Sequence, residues 1–124
     1  MKKIDIHIVG LGNLGSAFLN GLNDLDTNIY LYEDSNVVRQ SIQKSYSITP
    51  EEYLTAINEG VLLLCIKPQN INQFFITNKD KIGKDVLICT PVAGLEIKTI
   101  QKYFGNNILR IMPNLLIQDK TGFI

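Results

Sequence analysis

The chain has no tryptophan, two cysteines, one histidine and no excess of charge of either sign, since Lys+Arg and Asp+Glu each number 12. Each shortage removes a class of function. Balanced charge removes the main electrostatic ground for nucleic acid or an anionic membrane as partner. One histidine and two cysteines fall short of the ligand cluster that a metal site needs. Cys65 and Cys89 both lie inside apolar stretches, where reduced, buried thiols of a cytoplasmic protein are expected. The longest apolar run, Val61 to Ile66, has the length of a strand and is far below the ~18 residues of a membrane span. Asp5 and His7 interrupt the apolar residues behind Met1-Lys2-Lys3, so no signal-peptide core follows them. What remains is a soluble chain of 124 residues, one domain by size, with enough apolar residues for a core without staples.

Short β-rich runs alternate with helical patterns along the whole length. Strands are expected at Ile4–Val9, Asn28–Tyr32, Val61–Ile66, Asp85–Cys89 and Ile108–Met112, with a weak, short one at Tyr46–Ile48. Helices are expected from Asn13 to Asn23, from Ser35 or Asn36 to about Lys44, from Asn70 to Ile82 and from Leu95 to Phe104. Thr49-Pro50-Glu51-Glu52 reads as a further helix start, with Thr49 as N-cap, Pro50 at the first position and Glu52 closing a capping box; that helix would end near Gly60. Strict alternation predicts an α/β fold with a doubly wound parallel sheet. The strand order is 3-2-1-4-5-6 if the fold is the dinucleotide-binding form, with a flavodoxin-like order as its rival.

The first strand runs into Gly10-Leu11-Gly12-Asn13-Leu14-Gly15, which opens the first helix. A lone G-x-G-x-x-G is weak evidence, but its context here is the one the chemistry requires. Gly10 permits the tight turn, Gly12 lets backbone approach a pyrophosphate, and Gly15 lets the helix pack against the sheet. The free N–H groups of the helix start then face the phosphates. Glu33, 18 residues after Gly15, ends the second strand, and Asp34 follows it. A carboxylate there accepts from the adenosine ribose 2′-OH and repels a 2′-phosphate, so the residues lean to NAD over NADP. No arginine is expected at this strand end, because Arg39 lies a turn and a half into the next helix. A solvated acidic pair is the alternative.

Two more loops follow strand ends, where open parallel sheets bind ligands: Cys65-Ile66-Lys67-Pro68 and Thr90-Pro91-Val92-Ala93-Gly94. Lys67 by itself reads equally as a surface cation. His7, inside a strand, is given a structural role, and Tyr30 and Tyr32, on one sheet face, are expected to pack rather than stack on a base.

Taken together, these loops resemble the pyrroline-5-carboxylate reductase family. Val9 to Gly15 resembles its N-terminal fingerprint, Cys65-Ile66-Lys67-Pro68 its valine-lysine-proline segment, Val92-Ala93-Gly94 its alanine-alanine-glycine turn, and Ile111-Met112-Pro113-Asn114 its methionine-proline-asparagine segment. A late-competence protein related to the reductase carries the same fingerprint. The resemblance implies a Rossmann-type domain and hydride transfer from NAD(P)H to the C=N bond of pyrroline-5-carboxylate, the step that forms proline. It also carries cofactor contacts onto Val9 to Leu14, Cys65 to Pro68, Pro91 to Ala93, and Asn114.

The sequence departs from the family pattern in three places. Leu115-Leu116 stands where the family continues with threonine and proline, and the Thr49–Glu52 segment replaces an adenosine-contacting asparagine. The sheet is expected to be truncated after its sixth strand, and the family's C-terminal helical dimerisation domain to be absent. That domain supplies most of the imine-substrate pocket. These 124 residues are therefore expected to bind cofactor without turnover, and to form a weak homodimer or aggregate through the region Ile108 to Met112. Two alternatives stand beside this reading. One is a diverged, non-catalytic nucleotide-binding or regulatory module such as the competence relative; the other is a β-hydroxyacid dehydrogenase.

Overall fold

Ile4–Val9 forms β1, the strand around which the sheet is organised. The computed structural model describes residues 3–23, 25–90, 98, 101, 102 and 108–110. After β1 come α1 (Asn13–Leu22), β2 (Thr27–Tyr32), α2 (Asn36–Tyr46), β3 (Ile57–Leu64) and α3 (Pro68–Asn78). A 3-10 turn at Lys79–Lys81 leads into β4 (Ile82–Thr90), and β5 covers Ile108–Arg110. All the paired strands run parallel, in the order β2-β1-β3-β4-β5. This is the expected order 3-2-1-4-5-6 without its third strand.

The apolar residues explain why the sheet is covered on both faces. On β3, Leu62 and Leu64 join α3's Ile71 and Phe75 in one core, while Leu63 joins α1's Phe18, Leu19 and Leu22 in the other. On β4, Val86 and Ile88 go to the α3 side and Cys89 to the α1 side. Alternation at period 2 delivers successive side chains to opposite faces, so a nearly continuous apolar run fills both. Ser35 caps α2 by accepting from the Val38 N–H at 3.3 Å.

Two expected elements are corrected. The weak strand Tyr46–Ile48 does not form: Tyr46 ends α2, and Ser47 turns the chain out with φ 57°. Nor does the helix from Thr49 to Gly60. Glu51 instead donates its N–H to the Leu31 carbonyl and accepts from the Glu33 N–H, both at 2.8 Å, making a single parallel bridge on the outer edge of β2. A capping box satisfies local N–H groups, but here the open edge of β2 offers extended partners, and tertiary pairing wins over local propensity. Ile57 then starts β3 opposite Ile82, with a register shift before Glu59. The same demand draws Ile82 and Gly83, expected at the end of a helix, into β4. The expected helix Leu95–Phe104 is described only at Lys98, Gln101 and Lys102, all helical; Met112 and the rest of the C-terminal segment lie outside the described residues.

His7 is structural. It is 7% exposed, stacks on Tyr30 with ring centroids 4.7 Å apart, and places Nδ1 3.0 Å from the Tyr32 hydroxyl. Tyr32 is buried in the core and Tyr30 is partly exposed, in keeping with their packing role. Burial holds the imidazole below its ordinary pKa of 6.5, against a weaker upward pull from Asp5. Below that value the unfolded chain binds the proton more readily than the folded one, so stability falls as pH drops through about 6.5. Urea midpoints at about pH 7.5 and 5.5 test this. The fall is expected to be smaller in His7→Gln; an equal fall in both proteins would place its origin elsewhere.

Candidate functional site

The sheet order reverses between β2 on one side of β1 and β3 on the other, and this is where open parallel sheets form a crevice beyond their strand ends. The backbones meet there closely. Gly10, with φ +91°, lies so near β3 that a Cβ would stand 2.9 Å from the Cys65 carbonyl oxygen and 3.0 Å from Ile66 Cγ2. A Cβ on Gly15 would overlap the Gly10 carbonyl oxygen. These two glycines are therefore fixed by packing. Gly12 is different: a Cβ there would have nothing within 4 Å, and its φ of −70° suits any residue. The space in front of Gly12 is open to a ligand rather than filled by protein.

Three hydrogen bonds set the turn. Gly10 N–H donates to the Tyr32 carbonyl at 2.9 Å, Leu11 N–H to Glu33 Oε1 at 2.7 Å, and the Ser16 hydroxyl to the Leu11 carbonyl at 2.8 Å. Leu11 itself is buried, while Gly12 and Asn13 are exposed. No side chain caps the α1 N-terminus at Gly12, and its first turn carries no acidic residue. The N–H groups and the positive end of the helix dipole consequently face the cleft.

The cleft holds about 740 Å³ and is lined by Val9, Gly10, Gly12, Glu33, Asp34, Cys65, Ile66 and Lys67, together with Tyr32 and residues of α3 such as Gln73 and Phe74. Its volume suits a cofactor-sized ligand. Lys67, exposed, is the N-cap of α3, and Pro68 occupies the first turn. The structure thus brings Val9, Gly10 and Gly12, Glu33-Asp34 and Cys65–Lys67 to one place, while Leu11, Asn13, Leu14, Gly15 and Pro68, also expected at the site, do not line the cleft. Pro91, Val92, Ala93, Gly94 and Asn114 lie outside the described residues. Cys65 offers no nucleophile: burial, with Cys89 nearby, pushes its thiol up to about 12. Among the described residues no cluster of three metal-ligating side chains occurs.

One expectation at the end of β2 is corrected. Arg39 does reach it, its long side chain spanning six residues so that Nη1 donates to the Glu33 carbonyl at 2.8 Å. Glu52, Tyr53 and Leu54 also line the cleft. No local pattern marks these residues, since the Glu51 bridge that holds their segment against β2 is a tertiary contact. Ser16, directly after the last glycine, was legible as a hydroxyl on the first turn of α1.

A strand, an open glycine turn and an uncapped helix at a sheet switch point define a Rossmann-type NAD(P)-binding domain. Residues 5–94 match the family model described as NADP oxidoreductase coenzyme F420-dependent, and the chain belongs to that family. Among curated relatives, pyrroline-5-carboxylate reductase 2 of Bacillus subtilis (strain 168) is 32% identical over 137 residues, an alignment covering 99% of this chain and 48% of the relative. Pyrroline-5-carboxylate reductase 3 of Danio rerio is 26% identical over 120 residues, covering 91% of this chain and 42% of the relative. The chain thus spans about half the length of the curated relatives it matches. Two solved structures share the fold. They are 1-pyrroline-5-carboxylate reductase from Streptococcus pyogenes (TM-score 0.69, 23% identity, 94% of this chain and 45% of that one) and prephenate dehydrogenase from A. aeolicus in complex with hydroxyphenyl propionate and NAD+ (TM-score 0.71, 14% identity, 89% and 41%).

The glycines separate stability from binding. Gly12→Val is expected to stay within about 1 kcal/mol of wild-type stability while abolishing NADH binding, because its methyls enter the open space. Gly15→Ala is expected to lose about 3 kcal/mol or more, because its Cβ meets backbone that cannot yield. Denaturant unfolding and calorimetric titration of both variants check this; unchanged NADH affinity in Gly12→Val would remove the assigned site.

Proposed function

We propose that this chain is the cofactor-binding part of a pyrroline-5-carboxylate reductase-like oxidoreductase, with NAD favoured over NADP. The observation that carries the proposal is the open space before Gly12 at the uncapped N-terminus of α1. The residues fit a dinucleotide along the cleft. The α1 N–H groups and Gly12 suit the pyrophosphate, and Lys67 with the Cys65–Pro68 loop suits the next segment. Glu33 suits the ribose. Its Oε1 accepts from Leu11 N–H and its Oε2 from Ser35 N–H at 2.8 Å, and each oxygen keeps capacity to accept a ribose hydroxyl. Bound there, NAD(P)H supplies the hydride, which with a proton converts a cyclic C=N bond to the amine.

The chain's own contribution is position. Hydride transfer needs the imine carbon roughly 3–3.5 Å from the donor carbon, so rigid strand ends and a fixed turn matter more than an acid or base. The protonated thiol of Cys65 leaves the cleft floor free of a competing nucleophile. The resemblance puts most of the imine pocket in a helical domain beyond this cofactor half.

The 124 residues alone are accordingly expected to bind NADH, with NADPH weaker, and to leave pyrroline-5-carboxylate unreduced. Fluorescence titration with each dinucleotide, followed by steady-state NADH oxidation with that substrate against a full-length reductase, checks both parts. Turnover within about tenfold of the control would place the substrate site inside the cofactor cleft, since even ~1 Å of misplacement costs on the order of a hundredfold. Failure to bind either dinucleotide would overturn the reading as a whole.

A further inference from the structure

The Arg39 guanidinium stands beside the cleft, against the backbone of Glu33 at the end of β2, and it is already engaged. Nη1 donates to the Glu33 carbonyl at 2.8 Å, Nη2 lies 3.4 Å from Asn36 Oδ1, and Nη2 lies 3.7 Å from Glu52 Oε1. The Arg39 side chain is 18% exposed and that of Glu52 45%. Glu52 is held close by its neighbour: the two 2.8 Å backbone bonds of Glu51 to β2 fix the segment against the strand end. Glu33, Asp34 and Glu52 all line the cleft. Of these three carboxylates only that of Glu52 pairs with the guanidinium, while that of Glu33 accepts from backbone N–H groups, so the charge left over on this side of the cleft is negative.

We propose that Glu52 is a specificity-determining residue that sets the preference for NAD by pairing with Arg39. A 2′-phosphate carries negative charge and needs a cation with free donors. Arg39 stands where it could serve, but Glu52 takes up its charge, and the geometry that holds Glu52 is the edge bridge of Glu51. Discrimination against NADP is then divided between repulsion by Glu33 and Asp34 and the withholding of Arg39 by Glu52. This inference rests on the reading of the cleft as a dinucleotide site.

The test measures NADH and NADPH affinities of the purified protein and of Glu52→Gln, Arg39→Gln and the double variant, by fluorescence titration. Exposed pairs of this kind are worth up to roughly a fivefold change in affinity. Glu52→Gln is therefore expected to tighten NADPH about three- to fivefold and to change NADH less than about twofold. The gain should vanish when Arg39→Gln is added, and should shrink at high ionic strength. Glu52→Lys, a second variant at the same half-exposed position, should push the ratio further. An unchanged NADPH-to-NADH ratio in Glu52→Gln, with NADH still bound by the wild type, would overturn the proposal alone. The same gain persisting in the double variant would overturn it too, because the effect would then be bulk charge rather than release of Arg39. Failure of the wild type to bind either dinucleotide would remove the underlying site and this proposal with it.

Discussion

Glu33 ties together four segments of the chain, two of them, at Leu11 and Glu51, distant from it in sequence. Its N–H donates to Glu51, its carbonyl accepts from Arg39, Oε1 accepts from the Leu11 N–H and Oε2 from the Ser35 N–H. Glycine turn, start of α2, body of α2 and the segment after it all meet at this one residue. Hydrogen bonds to a charged group are among the stronger ones in proteins. They also set direction, and here they fix the turn so that Gly12 faces outward while Leu11 is buried. The residue expected to read a ribose is thus also the residue that shapes the turn in front of the phosphates.

Around that junction the fold obeys simple packing rules. β1 and β3 come together closely because Gly10 has no side chain to hold them apart, and α1 sits low on the sheet because Gly15 lets it pass the Gly10 carbonyl. The apolar alternation of β3 and β4 then fills a core on each face. The cleft is what remains beyond the strand ends, with rigid walls made of elements buried elsewhere.

Glu33, Asp34 and Glu52 line the cleft near the end of β2, and Arg39, which donates to the Glu33 carbonyl beside it, is paired with Glu52. Membership of the oxidoreductase family and likeness to pyrroline-5-carboxylate reductases agree with a cleft that offers position and electrostatics rather than a nucleophile.

Much of this was legible in the residues. The period of the apolar pattern and the spacing of glycines are local properties, and they determined β1, α1, the turn between them, the parallel sheet and the acidic end of β2. The burial of Cys89 and the structural role of His7 followed from their neighbours in sequence, whereas Cys65, expected to be buried, is half-buried at the cleft. The segment from Tyr46 to Gly60 was another matter. Its local signals, a proline and two glutamates before an apolar run, favour a helix, yet the unpaired edge of β2 drew Glu51 into a bridge, and Ile82 of β4 paired with Ile57 at the start of β3. That choice is made by partners brought in from 20 residues away, which no local pattern records. The place of Glu52 at the cleft goes with it, so the fold class and the glycine turn lay in the sequence, while only the tertiary structure decided which charges stand together at the end of β2.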